Sequence, residues 1–133
     1  MGQSVFGKPV MRWLPTLAWM AVIFWLSNGP PPTVPGGIEI PDKVAHFAAY
    51  AVLGGLLWWA ATPLGRGTAG ALAVVGGALY GASDELHQLF VAGRTADVRD
   101  WLADLGGLAI AVLIALVAGR VRGRGPGPSP APP

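Results

Sequence analysis

Four stretches of 17 to 19 residues carry almost no charge, and prolines or polar turns part each from the next. They run from about Met11 to Ser27, Val44 to Thr62, Gly67 to Ser83 and Trp101 to Gly119. A helix that crosses the hydrocarbon core of a bilayer needs about 20 mostly apolar residues, so each stretch is a candidate span. Between the first two, Asn28 to Pro41 (NGPPPTVPGGIEIP) cannot be helical through its prolines and reads as a loop. Thr62-Pro63-Leu64-Gly65-Arg66 reads as a tight turn. Composition agrees, since 53% of residues are hydrophobic and only 12% charged, where a soluble domain has about a quarter charged. A soluble fold this apolar would leave large bare patches, which monomers avoid. The expectation is an all-α membrane protein, a four-transmembrane-helix bundle over residues 11–119. Residues 1–10 form a short N-terminal tail, and the Pro/Gly-rich residues 120–133 are expected to be disordered. Lys8 and Arg12 ahead of an apolar run also suit a signal peptide. No small-x-small cleavage site follows cleanly and three more spans do, which favours an uncleaved helix.

The absence of cysteine excludes a disulfide scaffold, a thiolate zinc site and a cysteine nucleophile. A net charge of +2 and a pI near 9.5 do not make nucleic acid a partner, because the basic residues neither cluster nor alternate with exposed aromatics. Lys and Arg in short loops set orientation. Four spans place Lys8, Arg12, Arg66, Arg120, Arg122 and Arg124 on one side, and Lys43, Arg94 and Arg99 on the other. Both termini are therefore expected in the cytoplasm. Trp13, Trp25, Trp58 and Trp59 stand where interfacial aromatics belong. The pairs Gly54-Gly55, Gly76-Gly77 and Gly106-Gly107, with Gly77 and Gly81 as G-x-x-x-G, read as helix-packing devices.

This topology brings three polar sets to one level. The second helix opens with Asp42, Lys43, His46 and Tyr50, of which Asp42, His46 and Tyr50 share a face. The third apolar run is short of a full span, so its helix is expected to continue through Asp84 and Glu85 toward Phe90. It thus ends with Tyr80, Asp84, Glu85, His87 and Gln88. The fourth follows Arg94 and begins with Asp97, Asp100 and Asp104, again on one face. Structural roles compete: Asp42 as an N-cap, Asp97 with Asp100 as a capping box, His46 as a core histidine bonded to backbone, Gln88 as an interhelical bond. Lys43 and Arg99 can be plain interfacial charges. Asp84, Glu85 and Asp104 resist such readings, since carboxylates at membrane depth are costly and mark functional sites. A salt bridge to Arg94 would account for one of the three.

The motif D-K-x-x-H-F-x-x-Y at Asp42 to Tyr50, then Y-G-x-x-D-E-x-H-Q-x-F-V-x-G-R-x-x-D-x-x-D at Tyr80 to Asp100 and L-A-D-L-G-G at Leu102 to Gly107, resembles the VanZ-like family of small multi-spanning bacterial membrane proteins. Ala92 stands where a proline is common in that family, and Asp104 where an asparagine is common. The family takes its name from an accessory protein that raises teicoplanin resistance. The resemblance implies a cell-envelope setting in the bacterial plasma membrane and a four-helix fold, without supplying a reaction.

Two functions compete for the polar end. The first is an accessory or binding protein whose outer pocket engages a lipid headgroup, a peptidoglycan precursor or a glycopeptide-like ligand. Asp42, Lys43, His46, Tyr50, Tyr80, Asp84, Glu85, Gln88, Arg94, Asp97, Asp100 and Asp104 would line it, with Arg94 and Lys43 meeting phosphate or carboxylate. The second is a membrane-embedded enzyme on a phosphorylated lipid. Asp84, Glu85, Asp100 and Asp104 would hold Mg²⁺ or Mn²⁺, and His46, His87, Asp84 or Glu85 would serve as acid or base. A proton or ion pathway ranks last, because nothing ionisable continues through the inner half of the helices. The balance favours binding.

Overall fold

In the computed structural model, described for residues 10–29 and 33–122, the chain is helical almost throughout. Helix α1 (Leu14–Ser27) carries Pro15 in its first turn, where a missing N–H breaks no intrahelical bond. Its last turn is closed by polar side chains: Ser27 Oγ donates to the Ile23 carbonyl (3.0 Å) and Asn28 Nδ2 to that of Phe24 (2.6 Å). The prolines mark the connection to the second helix as loop alone, and the structure departs from that. It contains a minimal antiparallel ribbon, β1 (Thr33–Val34) paired with β2 (Ile38–Glu39). Gly36 and Gly37, both at positive φ, turn the chain between them.

Helix α2 (Asp42–Ala61) follows. A 3₁₀ turn (Thr62–Leu64) and Gly65 at φ 98° form the tight turn. The third helical segment starts as α3 (Arg66–Ala71), passes through a π turn (Leu72–Gly76) and continues as α4 (Gly77–Gln88). It therefore reaches past Asp84 and Glu85, over residues 66–88, or about 34 Å at 1.5 Å per residue. Helix α5 (Val98–Arg122) closes the described chain. The N-terminal tail before Val10 and the Pro/Gly-rich residues from 123 onward lie outside the described residues.

The segments Asp42–Leu64 and Val98–Val121 are long and apolar enough to cross a membrane, and Leu14–Ser27 is a shorter apolar helix. Helix α5 inverts the pattern of a water-soluble helix. Asp100, Asp104, Leu108 and Val112 line its buried side, while Leu102, Ile110, Leu113, Ile114 and Val117 face outward. Polar side chains inside and large apolar ones outside suit a lipid bilayer rather than water.

Successive helical segments run in opposite directions. Arg12, at the entry to α1, donates to the Trp59 carbonyl (2.7 Å) and Thr62 Oγ1 (3.0 Å) at the end of α2, and its guanidinium lies 4.6 Å from the centre of the Trp59 ring. Midway, Trp19 Nε1 donates to Ala49 O (2.9 Å) and Tyr80 Oη to Met20 O (2.7 Å). The Arg66 guanidinium rests against Gly119 of α5. One end of the bundle thus holds Arg12 and Arg66, and the other holds the acids.

The tightest seam joins α2 and α5. At Gly107 a Cβ would run into the backbone of Phe47, Tyr50 and Ala51, so only glycine allows this approach. Leu108, fully buried, fills the neighbouring space between Gly54 and Gly77. In the third segment Ala69, Ala73, Gly77, Gly81 and Glu85 are all buried, a repeat of four. A regular α-helix has 3.6 residues per turn and would rotate such a line steadily away. The wider π turn takes back part of that drift.

Candidate functional site

The seam fixes how α2 and α5 face each other, and with it His46. This side chain sits one turn into α2 and is 7% exposed. Its Nδ1 lies 2.9 Å from Asp104 Oδ1 on α5 and 3.9 Å from Glu85 Oε1 on α4. Its Nε2 lies 4.0 Å from Asp42 Oδ1 on its own helix. Asp104 is fully buried, and Gly81 makes the room for it: a Cβ there would stand 2.8 Å from Asp104 Oδ2.

Around this pair the other charges sort themselves. Asp97 caps α5, its Oδ1 accepting the Arg99 amide (2.8 Å). The expected reciprocal partner, Asp100, does not complete a capping box. The Asp97 amide instead donates to Glu85 Oε2 (2.9 Å), reaching across to α4. Asp100 turns to Lys43 (3.3 Å), which also meets Asp97 (3.4 Å). The Arg99 amide, with Lys43 beside it, holds the Asp97 carboxyl below the ordinary aspartate range. Asp42 makes no side-chain cap; Pro41 occupies the cap position and Asp42 Oδ1 faces Arg94 Nη1 at 3.5 Å. Arg94 is therefore matched with Asp42, and not with Asp84, Glu85 or Asp104.

Asp84 is 4% exposed, and neither of its oxygens has a hydrogen-bond partner among the described residues. It lines a cavity of about 60 Å³ together with Asp42, His46, Tyr50, Arg94 and Ser27. At about 30 Å³ per water that is room for about two. Ile23, Leu26, Ala45 and Ala49 give the same cavity an apolar wall between α1 and α2. The Tyr50 hydroxyl is also buried and unpartnered among the described residues, and its ring is parallel to His46 within 4° at a centroid distance of 6.4 Å. Gln88, fully buried, leaves both amide atoms without a partner there.

The two histidines do not meet. His87 Nε2 lies 3.0 Å from Asn28 Oδ1 and its ring packs 4.8 Å from Phe24, at the junction of α1 and α4. Tyr80 packs near Tyr50 (6.3 Å) but its hydroxyl is spent on the Met20 carbonyl. Ser27, Ile23 and Leu26 join the site without having been anticipated; only the position of Ser27 at the polar end of the first helix hinted at it. Once Lys43 and Arg94 are paired, Glu85 and Asp104 share one imidazole, and Asp84 lines the cavity that His46 also lines. Ligand atoms of His46, Glu85 and Asp104 lie within 4.8 Å of one another, as do those of Asp42, His46 and Asp100. Of the carboxylates expected to hold a metal, Glu85 and Asp104 converge on one face of His46. Asp100 groups instead with Asp42 and His46, and Asp84 lines the cavity.

Comparison with curated proteins and with solved structures found no match. The family model for VanZ/LLP1 matches residues 12–119, from the arginine that ties α1 to α2 through to the glycine under Arg66. The chain belongs to the VanZ/LLP1 family.

Proposed function

We propose that this protein is a multi-pass membrane protein of the bacterial envelope that crosses the plasma membrane four times, with both termini in the cytoplasm. In this reading its polar end opens to the outer side, and the cavity there binds the head of an amphipathic ligand: a lipid headgroup, a lipid-linked cell-wall precursor or a glycopeptide-like molecule. The excess of Lys and Arg at the Arg12–Arg66 end supports the orientation. One observation carries the binding reading. The cavity joins a polar floor (Asp84, His46, Arg94) to an apolar wall (Ile23, Leu26, Ala45, Ala49), and ligand pockets characteristically combine apolar walls with a few placed polar groups.

Orientation is tested with single cysteines placed at Gly2, Gly36, Gly67 and Gly125, since the chain has none of its own. An impermeant thiol reagent on intact cells is expected to label only the Gly36 position. Binding is tested by native mass spectrometry from nanodiscs containing phosphatidylglycerol, a polyprenyl phosphate or a teicoplanin-class glycopeptide. One of these is expected to remain bound to the wild type and to be lost on Arg94→Gln or Leu26→Gln. Equal retention by the wild type and both variants would remove the cavity from the function.

A further inference from the structure

We propose that His46, Glu85 and Asp104 form a binding site for a divalent first-row cation such as Mn²⁺ or Zn²⁺. The site adjoins the cavity of the amphiphile reading and shares His46 with it: its three donors come from α2, α4 and α5, while the apolar wall of the cavity belongs to α1 and α2.

The argument begins with distance. With metal–ligand bonds of about 2.1 Å, adjacent ligand atoms of an octahedral ion lie about 3.0 Å apart and opposite ones about 4.2 Å. His46 Nδ1 stands 2.9 Å from Asp104 Oδ1 and 3.9 Å from Glu85 Oε1, and ligand atoms of all three lie within 4.8 Å of one another, so three donors from three helices stand within a few tenths of an ångström of what one ion would gather. The second observation is the set of buried atoms with no partner among the described residues. Asp104 Oδ2, Glu85 Oε1, both oxygens of Asp84 and the Tyr50 hydroxyl are all in this state. Asp104 is fully buried and Asp84 is 4% exposed. Asp104 and Glu85 each satisfy one oxygen, on His46 and on the Asp97 amide, and leave the other buried and unpaired, which is disfavoured for a carboxylate. Lys43 and Arg94 make their ion pairs with Asp97, Asp100 and Asp42, so among the described residues neither lysine nor arginine is paired with Glu85 or Asp104, which share the single imidazole of His46.

The surroundings of the imidazole fit a ligand histidine. A metal-binding His typically donates its second ring N–H to a carboxylate that is itself held in place. Here Asp42 Oδ1 lies 4.0 Å from His46 Nε2, near enough to reach it after a small shift, and Arg94 Nη1 meets the same oxygen at 3.5 Å. Glu85 keeps its other oxygen on the Asp97 amide, which fixes the direction of Oε1. One imidazole with carboxylates selects a borderline ion; a site made only of oxygens would suit Mg²⁺ or Ca²⁺ better. Entry of the ion replaces the proton shared by His46 Nδ1 and Asp104 Oδ1, and that proton leaves to water.

The test uses the full chain in nanodiscs, stripped with a chelator and dialysed against Mn²⁺ or Zn²⁺. Metal is counted by mass spectrometry and bound Mn²⁺ followed by electron paramagnetic resonance. The wild type is expected to retain about one ion per chain, with affinity at least about tenfold weaker in Asp104→Asn and Glu85→Gln. Arg99→Gln, an exposed side chain outside the donor set and the pocket, keeps wild-type affinity. Glu85→Gln preserves an acceptor for the Asp97 amide and so guards against a variant that merely misfolds. The proposal falls if the folded wild type holds no more metal than empty nanodiscs, the result expected if protons alone neutralise the acids. It also falls if Asp104→Asn and Glu85→Gln bind as well as the wild type. Lipid retention on the same samples separates the two ideas: metal lost with lipid kept leaves the cavity reading intact, and the reverse leaves the metal site intact.

Discussion

Replacing Gly107 with alanine should push α2 and α5 apart and open the polar end with them. The added Cβ would overlap the Phe47 carbonyl oxygen and stand 2.7 Å from the Ala51 nitrogen and 3.1 Å from the Tyr50 carbonyl carbon. All are backbone atoms of α2, so none can rotate away. Restoring ordinary contact needs a separation of about 1 Å, and overpacking of this kind costs about 1–3 kcal/mol. Alanine's better helix propensity returns about 1 kcal/mol. The net expectation is a loss of up to about 2 kcal/mol, a figure that combines those two ranges. The same shift would carry His46 Nδ1 from 2.9 Å to beyond hydrogen-bond reach of Asp104. Gly55 supplies the control. A Cβ there meets nothing within 4 Å, so Gly55→Ala should leave stability unchanged or raise it. Gly106→Ala, whose Cβ touches only the Phe47 ring at 3.4 Å, should fall between. Thermal unfolding in detergent, followed by circular dichroism, ranks the three. A Gly107→Ala melting temperature at or above that of Gly55→Ala would refute the close-seam argument.

Leu108→Ala should cost about 2–5 kcal/mol, as for other fully buried leucines. Gly77→Ala, which alone forces its methyl into Leu108, should be better tolerated in that background, and a double-mutant cycle in thermal melts reads the coupling. Arg12→Lys keeps the charge but loses the planar fork and ring stacking; a loss of about 1–2 kcal/mol is expected, and an unchanged melt would make Arg12 a plain interfacial charge. The pH response of Asp97 has a fixed sign. Its folded value is depressed below the ordinary 3.8, so its contribution is complete above that pH and lost as the pH falls through the folded value. Asp97→Asn should flatten the acid limb of melting temperature against pH there while keeping the cap; an unchanged limb would contradict the pairing.

Helix lengths and the gathering of acids were legible in the chain because both follow from hydropathy and from spacings of three and four. Partner choice was not. Arg94 had three candidate acids on the other helices and took Asp42, and the Asp97 amide found Glu85 where the local pattern offered Asp100. Those outcomes depend on how far each helix is rotated about its axis. That rotation is set by contacts such as Gly107 on Phe47, which no periodicity encodes. His87 illustrates the same gap. Its place in the motif suggested the site, yet a rotation of about 100° per residue on a helix turns it to Asn28 while Glu85 and Gln88 face inward. The ribbon at Gly36 and Gly37 was hidden by its brevity, and the contribution of Ser27 by the apolar run it ends.

The π turn at Leu72–Gly76 has a bearing on how this chain tolerates changes in length. A π turn holds about one residue more than the α turn it replaces. Loss of a single residue inside it can therefore be absorbed by rewinding to ordinary α geometry, with Ala69 below and Gly81 above still in phase. The same loss between Gly77 and Ser83 has no such slack. It would swing Asp84, Glu85 and Gln88 by about 100°, and His46 would face the apolar side of α4 instead of its acids. Two neighbouring stretches of one rod thus differ in what they permit: one is an adjustable joint, the other a ruler.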